Sequence, residues 1–149
     1  MDSESRKLPA SLVVILGPKQ DTSKMNFFAT KMGFSFSFHA SPANKFIWVS
    51  WKGMRQVDLI NTMNQCLSVK VTFIGMETVF SFIYASSDLQ GRQVLWDFLE
   101  SFDPISFPCF TGGDFNVIVE TSEKWGGSGN ATNGMMEFKS FITHKGLLC

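Results

Sequence analysis

Gly112-Gly113-Asp114-Phe115-Asn116 follows a short apolar run at residues 105–110 and lies about thirty residues beyond another strand-like run that ends at Tyr84. The first run reads as a short strand, and the two glycines permit a close turn after it. Asp and Asn behind such glycines are ordinary turn formers. They are also useful polar groups at a strand end: Asp supplies a base, Asn a neutral donor beside anionic oxygens, and glycine lets backbone approach a ligand. Which reading holds depends on what surrounds the stretch.

Working outward, residues 11–16 form a continuous β-branched and apolar run closed by Gly17-Pro18, the pattern of a buried strand followed by a turn. From Asp21 the period changes. Asp21 or Thr22 can cap a helix, Met25, Phe28, Ala29 and Met32 recur at helical spacing, and Gly33 can end it in the left-handed conformation. Phe34, Phe36 and Phe38 then alternate with Ser35, Ser37 and His39, and residues 46–51 make a second strand after the Ser41-Pro42-Ala43-Asn44 turn. Residues 56–60 and 66–74 continue the strands, with Cys66, Ser68, Lys70 and Thr72 opposing Leu67, Val69, Val71 and Phe73. Gly75-Met76-Glu77 reads as a turn into a strand at residues 78–84.

The best helix follows. Val94, Leu95, Phe98 and Phe102 lie along one side, Trp96 and Leu99 widen it, and Asp103-Pro104 ends it. Trp125-Gly126-Gly127-Ser128-Gly129-Asn130 reads as a flexible loop, and Met135, Phe138, Phe141 and Ile142 predict a last helix that stops near Gly146. Antiparallel strand runs interrupted by sheet-covering helices predict an α+β layered fold.

At 149 residues the chain has the length of one domain. We assign residues 1–9 to a frayed leader and 10–149 to the domain. Sixteen Phe, four Trp and 44% hydrophobic residues make this a composition that collapses to a core. Its apolar runs are shorter than a membrane span, and no charged-then-apolar leader opens the chain, so an intracellular protein, nuclear or cytoplasmic, is expected. Cys66, Cys109 and Cys149 have no metal or redox spacing and read as free thiols. Thirteen basic against thirteen acidic residues give zero formal net charge, which does not favour strong DNA binding and leaves only a local basic face to support it.

The order Tyr84-Ala85, Arg92-Gln93-Val94-Leu95-Trp96, Gly113-Asp114-Phe115-Asn116, Glu123-Lys124-Trp125-Gly126-Gly127, Phe138 and Gly146-Leu147 resembles the endonuclease domain of plant LINE-type retrotransposons, within the endonuclease/exonuclease/phosphatase or DNase I-like superfamily. Phe46-Ile47-Trp48-Val49-Ser50-Trp51 and Leu16-Gly17-Pro18-Lys19 extend the resemblance over nearly the whole chain from about Ala10. It implies a four-layer α/β sandwich with mostly antiparallel sheets, in which Mg2+ assists phosphodiester hydrolysis of DNA. It also implies that Asp114 orients or deprotonates the attacking water, that Asn116 holds a phosphate oxygen or orients its neighbours, and that Tyr84 contacts the scissile phosphate. Beside that reading, Tyr84 is equally a strand aromatic with its hydroxyl at the surface, and Arg92 and Trp96 are packing and anchoring residues. His39 and His144 are expected at the surface, and Glu120, Glu123 and Lys124 in a solvated loop.

Gly17 stands where the resemblance implies a metal-binding Glu, and Gly carries no side-chain oxygen. The family also opens with a strand bearing a functional Asn and closes with a Ser-Asp-His motif. On this reading the domain is incomplete at both ends, Asp114 and Asn116 are vestigial, no metal ligand is assigned, and open sheet edges invite self-association. The expectation is an endonuclease remnant, inactive as this chain. The alternatives are an active metal-dependent phosphodiesterase in which Glu120 substitutes for the lost carboxylate, and a non-catalytic binding module.

Overall fold

A computed structural model of the chain describes residues 11–40, 44–53, 56–102, 107–119 and 132–145. Two sheets stack between helices. The first sheet has the order β1-β3-β2, built from β1 (Leu12–Leu16), β2 (Phe36–Ala40) and β3 (Asn44–Trp51), all antiparallel. The second has the order β4-β5-β6-β7, from β4 (Gln56–Met63), β5 (Cys66–Phe73), β6 (Met76–Tyr84) and β7 (Cys109–Asp114). Its first three strands are antiparallel neighbours, and β7 runs parallel to β6. That parallel pairing needs a crossover, which α2 (Leu89–Ser101) supplies.

Period-two alternation decides which residues meet. On β5, Leu67 and Val69 face Ile47 and Val49 of β3, and this inter-sheet core also takes in Leu12, Val14, Leu16, Phe80, Phe82 and Tyr84. Cys66 points to the opposite face, where Ile83 packs under Leu95, Trp96 and Leu99 of α2 and under Phe138 and Phe141 of α3 (Thr132–His144). The Trp96 indole stacks 4.6 Å from the Phe141 ring and 5.5 Å from that of Phe138. Such pairs add about 0.5–1.5 kcal/mol each beyond their buried area. On the far side of the first sheet, α1 (Met25–Lys31) buries Ala29 and sets Phe28 6.4 Å from the Trp48 ring. The layers are therefore helix, sheet, sheet, helices, the four-layer sandwich that the resemblance implies.

Four readings need correction. Val94 is 56% exposed, because the helix turns its buried stripe through Arg92, Leu95, Trp96 and Leu99. Gly112 and Gly113 are not in a turn: they lie within β7, opposite Phe82 and Ile83. Met76 and Glu77 belong to β6, and the turn before it is Ile74-Gly75, with Ile74 at φ 50°. The run at residues 11–16 yields a half-buried strand, Leu12–Leu16, rather than a buried one, with β1 at the sheet edge. The Ser41-Pro42-Ala43 turn, Asp103-Pro104, the loop with Glu120, Glu123 and Lys124, and Gly146 lie outside the described residues. Among the described residues no helix is long and apolar enough to cross a membrane.

Candidate functional site

One rim of the sandwich collects the residues singled out from the sequence. Parallel pairing of β6 with β7 brings their ends level, with Tyr84 opposite Asp114, and the Ala85 N–H donates to the Asp114 carbonyl at 2.8 Å. Gly113 makes this alignment possible. Its φ of 147° lies in the region glycine tolerates, and a Cβ there would run into the Ile83 carbonyl. Beyond Asp114 the chain turns sharply. The Asn116 N–H donates to Asp114 Oδ1 at 3.0 Å, and Asn116 takes φ 50°, a left-handed conformation that Asn adopts more readily than most residues. The amide Nδ2 of Asn116 donates to the Ala85 carbonyl at 2.7 Å. Asp114 and Asn116 thus do serve as turn formers, and the same turn sets them together at the rim beside the end of β6.

Two buried polar residues support this rim, and neither was read as part of it from the sequence. Arg92 sends Nη1 to three carbonyls, those of Ser87 at 2.8 Å, Ser86 at 3.1 Å and Asn116 at 3.3 Å. Its anchoring role agrees with the sequence reading, but the tie to Asn116 joins segments that only the fold brings together. Gln65 is the second: Nε2 donates to the Gly91 carbonyl at 2.8 Å, Oε1 accepts from the Ser86 N–H at 2.6 Å, and its carbonyl accepts from the Tyr84 N–H. No spacing rule marks a turn glutamine as a brace. Asp88 completes the support by capping α2, accepting from the Gly91 N–H at 2.6 Å and from the Ser86 hydroxyl. Those bonds, the Ser86 one first, hold its carboxyl below the usual carboxylate range.

Gly17 arrives at the same rim from the other sheet. Its N–H donates to the Phe46 carbonyl at 2.8 Å, its φ is 58°, and the ring of Tyr84 lies directly over it. A Cβ added there would meet Tyr84 Cζ and Oη. Tyr84 itself is half-buried and leans on Phe46, ring centroids 6.1 Å apart. His144 is exposed as expected. His39 corrects its surface assignment: it is half-buried at the register shift between β2 and β3, and its Nδ1 is buried with no hydrogen-bond partner.

The donor set decides what the rim can hold. Mg2+ asks for near-octahedral oxygen ligands and is usually bound through one or two carboxylates with substrate oxygens. Asp114 offers a single carboxylate, one oxygen of which already accepts from Asn116. Among the described residues no group of three or more His, Cys, Asp or Glu side chains converges on a metal position. The described residues by themselves do not make up a site for a resident divalent ion.

The architecture matches solved structures. The endonuclease domain of TRAS1, a telomere-specific non-LTR retrotransposon, superposes over 91% of this chain and 72% of its own length, at 15% sequence identity with a TM-score of 0.61. A humanized D. rerio TDP2 carrying 14 mutations superposes over 72% of this chain and 50% of its own, at 14% identity with a TM-score of 0.50. No protein-family model and no curated protein matches the chain. At such identities the likeness establishes the fold, which is DNase I-like.

Proposed function

We propose that this chain is a DNase I-like nuclease domain of retrotransposon descent, of the plant LINE type, whose ancestral reaction was Mg2+-assisted hydrolysis of a DNA phosphodiester and which does not carry out that hydrolysis as it stands. The observation that carries the proposal is the fit of Tyr84 over Gly17. The position that would present the metal-binding carboxylate is a glycine, and a tyrosine ring takes up the space a side chain there would need. Asp114, Asn116 and Tyr84 remain level at the rim, where the ancestral enzyme would have used them on water, a phosphate oxygen and the scissile phosphate.

Magnitudes favour inactivity. Removing one donor to a transition-state oxyanion costs about 10² to 10³ in rate. Losing the ion that neutralises the developing charge removes a larger contribution still, although residues acting as a unit do not multiply simply.

Incubating the purified chain with supercoiled plasmid and Mg2+ tests the reading. The expected result is plasmid that stays supercoiled, in the parent and in Asp114→Ala alike. Nicking that requires Mg2+, is lost in Asp114→Ala and is absent from a mock purification would overturn it.

A further inference from the structure

The two edges of the second sheet are built differently. At β4 the register against β5 slips between Leu59 and Asn61, so Ile60 is an extra, bulged residue, and Asp58 puts a charge on the strand. Bulges and charges are devices by which edge strands refuse further pairing. β7 has neither. It pairs with β6 without a register shift, it carries no charge before Asp114, and all six of its residues are exposed. Among the described residues no strand lies on its other side.

Hydrogen bonding along β7 alternates. The Val79 N–H donates to the Pro108 carbonyl at 2.8 Å and the Ala85 N–H to that of Asp114 at 2.8 Å, so the even-numbered residues from 108 to 114 turn their backbone groups to β6. Thr111, of the opposite parity, turns its N–H and C=O to the open edge. Side chains follow the same period: Phe110 and Gly112 face the seam between the sheets, beside Phe80 and Phe82, and Thr111 faces the other way.

The seam is apolar there. Val14 and Leu16 of β1, with Phe80, Phe82, Phe110 and Gly112, border a cleft of about 300 Å³. Phe110 stacks on Phe80 with 5.5 Å between ring centroids yet stays 61% exposed, and Gly112 has nothing within 4 Å of the position a Cβ would take. An exposed ring and a bare glycine two residues apart complement each other when the strand meets an antiparallel copy of itself. With Thr111 opposite its own counterpart, Phe110 falls opposite Gly112 of the second copy.

We infer that β7 pairs with β7 of a second copy of this chain, antiparallel about a two-fold axis at Thr111. In that register the two Thr111 residues exchange both of their outward N–H···O=C bonds, and each Phe110 ring covers the bare glycine across the strand boundary. The residues lining the cleft are uncharged and the formal net charge of the chain is zero, so like-charge repulsion does not oppose the second copy. Such a self-complementary contact closes at two copies. One strand pair with its rings makes a small interface, which sets the expected dissociation constant on the order of 10 μM. The pairing does not rest on the loss of nuclease activity.

Sedimentation velocity of the full chain from about 1 to about 200 μM, with hydrogen exchange at both ends of that range, tests the inference. A reversible monomer–dimer equilibrium is expected, with the Thr111 amide gaining about fivefold in protection as the dimer forms. Gly112→Leu occupies the space the second copy's ring needs and should weaken dimerisation by about tenfold or more. Thr111→Pro removes the N–H at the axis and should do the same, at a position where an edge strand tolerates proline. Ile60→Lys, on the opposite edge, should leave the dissociation constant unchanged. If circular dichroism shows Thr111→Pro to be unfolded, Gly112→Leu alone decides. The inference is overturned by a chain that stays monomeric, by assembly beyond two copies, or by a dimer that a folded Gly112→Leu or Thr111→Pro leaves unchanged. It is overturned equally by a dimer that Ile60→Lys weakens, or by a Thr111 amide equally protected at every concentration, which would place another segment of the same chain on the edge.

Discussion

A Cβ built on Gly17 would stand 2.7 Å from both Cζ and Oη of Tyr84. The two residues come from different sheets, so the bare glycine and the placement of the ring form a single packing arrangement. Placing a carboxylate there therefore requires moving the tyrosine as well as changing the glycine. Gly17→Glu should destabilise the fold by about 2 kcal/mol or more, from left-handed backbone strain plus overpacking, and should leave Mg2+ affinity undetectable by calorimetry. In a Tyr84→Ala background the overpacking part should disappear and the strain part remain, which urea unfolding of the four members of the cycle resolves. A fully additive cycle would show that the ring and the glycine do not interact.

Gly113 and Gly112 are neighbours in β7 with opposite tolerances. Gly113→Ala forces a methyl group into the Ile83 carbonyl, whereas a Cβ at Gly112 has nothing within 4 Å. The expected cost is about 3 kcal/mol or more for the first and under about 1 kcal/mol for the second. Urea midpoints measure both, and faster hydrogen exchange of β7 amides should accompany Gly113→Ala.

Arg92 holds the carbonyls of Ser86, Ser87 and Asn116 through Nη1 of its planar guanidinium. Lysine keeps the charge but not the geometry, so Arg92→Lys should lose about 2 kcal/mol. The accompanying sign is local: the Asn116 amide should exchange faster, while amides at the Gln56 end of β4, at the opposite end of the sheet from the rim, change only with global stability. Equal protection changes across the whole second sheet would mean that Arg92 acts on packing rather than on the turn.

Asp88 makes stability sensitive to acid. Hydrogen bonds from Ser86 and then from Gly91 lower its folded value below the ordinary 3.8. A carboxyl depressed in the folded state contributes stability that is present above its unfolded value and is lost as the pH falls through the lower folded value. Asp88→Asn should therefore be less stable than the parent near neutrality and should lose less on acidification. Denaturant midpoints followed down to about pH 2 check this, and parallel curves for the two proteins would contradict it.

Cys66 and Cys109 should differ in reactivity. Burial pushes the Cys66 thiol up to about 11, against a smaller opposing effect of its Ser68 hydrogen bond, whereas Cys109 is exposed. At about pH 8 the native protein should show Cys109 alkylated and Cys66 untouched by peptide mapping, with Cys66 reacting only after unfolding.

Much of the fold was legible because it rests on local periodicity. The alternation at residues 66–73 assigns Leu67 and Val69 to one face and Cys66 and Ser68 to the other, and the structure pairs them that way. Phe138 and Phe141 fall on the buried stripe of α3 for the same reason. Gly113 was read as turn chemistry, and its real task, admitting the Ile83 carbonyl, depends on the neighbouring strand. Val94 was misplaced because a run of apolar residues on a helix does not show which edge of the stripe meets the sheet. Gln65 and the buried nitrogen of His39 left no mark in the sequence, because an isolated polar residue has no period.

The amino-acid order alone determined the α+β layering and the polar pair Asp114 and Asn116 after β7, since a strand's inward residues and a turn's formers are set by neighbours along the chain. It also showed that Gly17 carries no carboxylate. Only the tertiary structure decided that Tyr84 lies over that glycine, that Arg92 grips the turn at Asn116, and that Val14 and Leu16 of β1 border one cleft with Phe110 of β7. Those relations join residues from separate elements, and their distances follow from how two twisted sheets pack rather than from any spacing in the chain.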